Sequence, residues 1–305
     1  MTARSRLWMA ASCAGVATLA AIAAALGVFA RGSGEFITVT SARGQSYEMA
    51  TTGVYAYNAQ RVVAEGVGWD SVTLGLAVPA LLAVVPLVAR GSFRGRLFAA
   101  GLLGFFLYQY LEYSVTWAFG PLFLLFVGTY GLSLVTIGWL AWSLVIDHPT
   151  ALLGQGFPRR RWAALNIALS GLLTIMWLQR IALALGGQSD LLMGETTLTV
   201  QALDLGLVVP ASVLSAVLVL RRTQLGYALA AAFGVTFVAM TTAITGMLLS
   251  AWAVEGSLEI VPVTIFALAS LSATRLLVLI YRPLNVERAS LRARGAEAAP
   301  AGLHG

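Results

Sequence analysis

Lysine does not occur in this chain; all 19 of its basic residues are arginine. That excludes a Schiff-base lysine, and with it the retinal or pyridoxal chemistry that needs one. A single cysteine, Cys13, rules out an intramolecular disulfide. Only two histidines occur, His148 and His304, the second in a polar tail, too few for a structural zinc site. His148 stands beside Asp147, but no nucleophile or metal partner accompanies the pair. No Walker loop, HExxH, GxSxG or paired-cysteine motif occurs. The chain therefore reads as needing no cofactor and as leaning away from an enzyme.

Charge of either sign is also scarce. Charged residues are 10% of the 305, whereas a soluble domain carries roughly 25%. Hydrophobic residues are 59%, and the mean hydropathy is +0.84. One core cannot hide so much apolar surface, so the lipid bilayer is the expected partner. The net charge of +6 does not point to nucleic acid, because the arginines are scattered between apolar runs and form no basic face.

Crossing a hydrocarbon core takes about 20 apolar residues. Eight runs qualify: Leu7–Ala30, Ser71–Ala89, Leu97–Ala118, Pro121–Ile146, Trp162–Leu185, Thr199–Leu220, Leu225–Trp252 and Leu258–Tyr281. Backbone groups in lipid must bond within their own segment, and the strict alternation of a membrane β-barrel is missing. The expected fold is an all-α membrane protein, an eight-helix transmembrane bundle over residues 1–285. Residues 31–70 form an extracytoplasmic loop whose last stretch, AQRVVAEGVGW, could lie as a short helix on the membrane surface. Residues 286–305 are polar and rich in Ala and Gly, the composition of a disordered cytoplasmic tail. Arg4 and Arg6 before an apolar run also resemble a signal peptide, but that run exceeds the 7–15 residues typical of a signal core. Cleavage there would leave seven helices.

Arginine placement sets the sidedness. Arg4, Arg6, Arg90, Arg94, Arg96, Arg159, Arg160, Arg161, Arg221, Arg222, Arg282, Arg288, Arg292 and Arg294 fall in alternate connections and in both ends. The other connections hold only Arg31, Arg43, Arg61 and Arg180. Both termini are thus expected in the cytoplasm.

The second and sixth runs match at an offset of 131 residues. Gly75-Leu76-Ala77-Val78-Pro79-Ala80 falls on Gly206-Leu207-Val208-Val209-Pro210-Ala211, Arg90 on Arg221, Ser92 on Thr223 and Gly95 on Gly226. This predicts a parallel 4+4 internal repeat. A mid-helix proline frees the carbonyl four residues earlier, here Gly75 or Gly206. Interruptions at matching places in two halves point to a transporter binding site.

Ionisable residues at membrane depth usually face protein. Gly101, Gly104, Tyr108 and Glu112 share one helical stripe, and Asn166, Ser170, Thr174, Trp177 and Arg180 share another. With Asp70 and Asp204 they outline an outward-opening polar pocket of Asp70, Tyr108, Glu112, Arg180 and Asp204, with Arg180 the natural partner of Glu112. The plainer alternative is interfacial residues paired for structure alone. Tyr108, Tyr110, Tyr113 and Trp117 read as an interfacial aromatic belt.

The segment GLLGFFLYQYLEYSVTWAFGPLFLLFVGTYGLSL, with the preceding WDSVTLGLAVPALLAVVPLVARGSFRGRL, resembles a family of uncharacterised bacterial multi-pass membrane proteins. Those share a tyrosine-rich helix three followed by Pro-Leu-Phe-Leu-Leu. The resemblance covers roughly residues 50–240 and implies a membrane fold in a bacterial inner membrane, with no established activity. Three functions stay open: a small-solute or ion transporter-like protein, a non-catalytic sensor or scaffold that uses its extracytoplasmic loop and aromatic outer rim to bind a membrane-protein partner, and an intramembrane enzyme on lipid-linked substrates.

Overall fold

The computed structural model describes residues 1–147, 156–192 and 194–282; His148, Pro149 and the expected tail at 286–305 lie outside them. The described chain is mostly helical. It begins with α1 (Ala3–Phe29), capped by the Thr2 side chain, and a hairpin of β1 (Phe36–Thr40) and β2 (Ser46–Ala50) follows. A long helix runs as α2 (Gln60–Val72), a widened π turn (Thr73–Ala77) and α3 (Val78–Ala89). Next come α4 (Phe93–Thr116), α5 (Phe123–Asp147) and α6 (Arg159–Leu185). A second interrupted helix runs as α7 (Thr199–Leu203), a π turn (Asp204–Val208) and α8 (Val209–Leu220). The described chain closes with α9 (Gln224–Glu255) and α10 (Ile260–Tyr281).

Among the described residues seven helices are long and apolar enough to cross a membrane. The chain is thus an all-α, membrane-embedded protein. α4 is not one of the seven: it carries Arg94, Arg96, Gln109 and Glu112. It can carry them because it packs on α1, α3, α5 and α9 and meets protein on most sides. Phe105, Phe106, Tyr110 and Tyr113 of α4 are almost completely buried.

One expectation for the loop before Asp70 is corrected. α2 begins at Gln60 and continues into the membrane-length helix, so AQRVVAEGVGW does not form a separate surface helix. Its glycines allow this: Gly68 lies so close to α9 that an added Cβ would sit 2.3 Å from the Gly246 carbonyl oxygen. Its charge is met by the rim, where Arg61 pairs with Glu65 (2.9 Å), Glu255 (3.3 Å) and Glu259 (2.8 Å). The hairpin was also unforeseen; its turn uses Gly44 at φ +86°, a conformation glycine adopts without a Cβ clash.

Local features recur 131 residues apart. Each π turn ends just before a proline, with Val78 N–H donating to Thr73 O and Val209 N–H to Asp204 O. The longer bond moves the backbone off the proline ring, which cannot donate and would clash with a normal α turn. Ser92 and Thr223 cap the next helix, accepting from Gly95 and Gly226 amides at 3.3 and 3.0 Å. The turns between them hold Gly91 at φ +72° and Arg222 at φ +60°. Packing recurs too: α1 lies on α3 as α6 lies on α8, and α4 on α5 as α9 on α10.

The arginine-bearing turns share one end of the bundle. There Arg94 donates to the Tyr281 carbonyl at 2.8 Å, and Arg96 to Ser143 O and Oγ at 3.1 Å. The hairpin and the Arg61 cluster lie at the opposite end, where Arg43 reaches the Thr196 carbonyl at 3.2 Å.

Candidate functional site

Two carboxylates are buried near the hairpin end, on either side of α4. Asp70 of α2 is fully enclosed. Tyr55, from the segment after the hairpin, donates to its Oδ2. Gln109 Nε2 and the Tyr113 hydroxyl donate to Oδ1 at 3.2 and 3.4 Å. Gln109 in turn accepts from Thr73 Oγ1 at 2.8 Å, tying the carboxylate to the first π turn. Gly27 of α1 permits the arrangement, because a Cβ there would overlap both Asp70 Oδ2 and the Tyr55 hydroxyl. Burial first, and then the neighbouring Asp70, raises the Tyr55 phenol well above its ordinary range, so it stays a donor.

Asp204 opens the second π turn and is 8% exposed. Tyr108 Oη donates to its Oδ1 at 2.5 Å and Trp177 Nε1 to its Oδ2 at 2.8 Å. Tyr108 and Gln109 are neighbours on α4, so one helix turn serves both carboxylates. The Trp69 ring lies nearly parallel to that of Tyr108, with centroids 6.2 Å apart. Its Nε1 is buried with no acceptor among the described residues.

Glu112, one turn further along α4, is 7% exposed. Glu195, Glu65 and Asp204 are the acidic groups within electrostatic reach of it. Arg180 donates to the Leu191 carbonyl and feels Glu65, Glu195 and Glu259. No ion pair joins Arg180 to Glu112 among the described residues, so that expected partnership is corrected. Glu195 lies in the α6–α7 connection, where burial, opposed by Arg180, pushes its carboxyl up to about 7.

Of the nine expected site residues, the structure joins Tyr108 directly to Asp204, encloses Asp70 in the adjoining network, buries Glu112 beside them, and sets Arg180 at the rim. Gly75, Pro79, Gly206 and Pro210 go elsewhere. All four are exposed on the outer surface of their helices, and a Cβ added at Gly75 or Gly206 would meet nothing within 4 Å. The π turns thus place these glycines and prolines on the outer faces of their helices, away from Asp70 and Asp204. The aromatic-belt reading is likewise corrected: Tyr110 and Tyr113 pack inward on Phe126, and Trp117 stacks on Tyr113 at 4.1 Å.

Tyr55, Gln109, Trp69 and Glu195 were not foreseen as site residues. Gln109 offered a signal, as an amide at membrane depth next to Tyr108. Tyr55 offered none, since only the fold brings the loop onto Asp70.

Fold and site together define a multi-pass membrane protein with a buried polar network at one end. Comparisons of the chain with protein-family models, with curated proteins and with solved structures found no match.

Proposed function

We propose that this chain is a small-solute or ion transporter-like protein of a bacterial inner membrane, with α4 as an eighth span and both termini cytoplasmic. In this reading residues 1–147 and 156–282 are parallel four-helix halves of a duplicated unit, an idea supported by the recurring π turns, caps and packing. The site is the Asp204–Tyr108–Trp177 group with Glu112 beside it, and its ligand is a proton or small cation. One observation carries this reading. Asp204 is buried within a membrane-length helix with hydrogen-bond donors but, among the described residues, no ion pair, and its donor Tyr108 lies on α4, 96 positions away. Intramembrane carboxylates without a counter-ion are costly, and function is the usual reason they persist.

Proteoliposome flux of protons and alkali cations tests this. Wild-type protein should conduct one of them, and Asp204→Asn should lower the rate at least tenfold while the protein remains folded. Silent wild-type vesicles containing folded protein would contradict it.

A second reading, a sensor or scaffold that binds a membrane-protein partner, draws on the tight contact between the halves. A Cβ at Gly101 would sit 2.2 Å from the Ala232 carbonyl oxygen, and Gly68 meets Gly246 as closely. Co-purification of a stoichiometric partner with flux-silent protein would favour it.

A further inference from the structure

At the arginine-rich end the two halves differ. In the first, the space under the α3–α4 turn is filled by the protein's own groups. A Cβ on Gly91 would come within 2.8 Å of Arg6 Nη1 and 3.0 Å of Arg96 Nη2, and Arg96 donates to the Gly91 carbonyl at 3.2 Å. In the second half, Tyr227 stands where Arg96 stands in the first, and packs instead on Phe157, with centroids 4.9 Å apart. Among the described residues, the space beneath the α8–α9 turn is an open cavity of about 820 Å³.

Five arginines among the described residues line that cavity: Arg159, Arg160, Arg161, Arg222 and Arg282. Among the described residues no Asp or Glu lines it, and none of the five makes an ion pair or side-chain hydrogen bond. Three of them form the first turn of α6, a 27-residue helix whose N-terminus has no side-chain cap and no acid. Its free amides and dipole favour an anion there. Arg222 holds φ +60° where its counterpart is glycine. A non-glycine residue in that region is strained, because its Cβ crowds the following carbonyl. Phe157, Leu220 and Leu279 supply apolar wall beside the charges. Guanidinium groups clamp phosphate oxygens in pairs, and basic pockets between membrane helices suit anionic headgroups.

We propose that this cavity binds the phosphate headgroup of an anionic phospholipid, with its glycerol and upper acyl chain against Phe157, Leu220 and Leu279. The cavity falls within the roughly 300–1,000 Å³ of small-molecule sites. The same guanidinium chemistry would also accept a soluble phosphate ester; the apolar wall favours the lipid. This inference does not depend on the transport reading.

Native mass spectrometry of the full chain in detergent tests it, with phosphatidylglycerol, phosphatidylcholine and glycerol phosphate as probes. Phosphatidylglycerol should bind at least tenfold tighter than phosphatidylcholine. The double variant Arg160→Gln/Arg222→Gln should lose that preference while keeping its melting temperature, and Arg4→Gln/Arg90→Gln at the same end should retain it. Equal binding of the two lipids, or equal loss in both double variants, would overturn the site. Displacement of the lipid by glycerol phosphate at comparable concentration would overturn the lipid assignment in favour of a soluble ester.

Discussion

Tyr108 on α4 donates its hydroxyl to Asp204 at 2.5 Å, a buried bond between residues 96 positions apart that ties α4 to the second interrupted helix. Asp204 begins the π turn that precedes Pro210, so the bond fixes the place where the second interrupted helix is widest against α4. Its partner Trp177 adds α6, which otherwise packs mainly on α8.

That bond should be measurable as a coupling. Polar contacts between membrane helices contribute roughly 0.6 kcal/mol on average and up to about 1.7. A double-mutant cycle of Tyr108→Phe and Asp204→Ala, read by unfolding in detergent, should give a coupling of about 1 kcal/mol. Strict additivity would show that the two side chains do not support each other.

Glycine positions separate packing from exposure. Gly68→Ala forces a methyl onto the Gly246 backbone, and overpacking of this kind costs about 1–3 kcal/mol. Gly75→Ala meets open space, and replacing a helical glycine there should stabilise by about 0.5–1 kcal/mol. Melting temperatures of the two variants should therefore move in opposite directions from wild type.

Glu195 supplies a pH dependence. Its carboxyl rises from an ordinary 4.5 to about 7 on folding, so the native state holds its proton longer than the unfolded chain does. Stability from this group is therefore full below pH 4.5 and is lost as pH rises toward 7. Glu195→Gln should flatten the fall in melting temperature between about pH 5 and 7. An unchanged slope would place the titration elsewhere.

The helical, membrane-embedded class was legible because lipid imposes a crude rule: apolar runs of spanning length. The 131-residue correspondence was readable from Gly75, Pro79 and Arg90, and the structure adds the π turns those prolines require. The site was only half legible. Glu112 and Asp204 stand out as charges in apolar sequence, and the Tyr108 stripe gave the right face of α4. Tyr55 and Asp70, 15 positions apart, meet only because Gly27 of α1 leaves room, and no local pattern encodes that. Gly75 and Pro79 misled because their bulge is visible in sequence while the direction it faces depends on the whole bundle. Residues 60–70 misled because Arg61 and Glu65 look like loop chemistry until Glu255 and Glu259 are brought beside them.

Accessibility of single introduced cysteines in intact cells tests the membrane arrangement most directly; native Cys13 is fully buried and can stay. Arg90→Cys and Arg221→Cys, exposed at matching turns of the two halves, should both resist an impermeant maleimide until the cells are opened. Gly44→Cys at the hairpin tip and Gln188→Cys after α6 should react in intact cells. Labelling of positions 90 and 188 from the same compartment, or of 90 and 221 from opposite ones, would contradict the parallel two-half bundle.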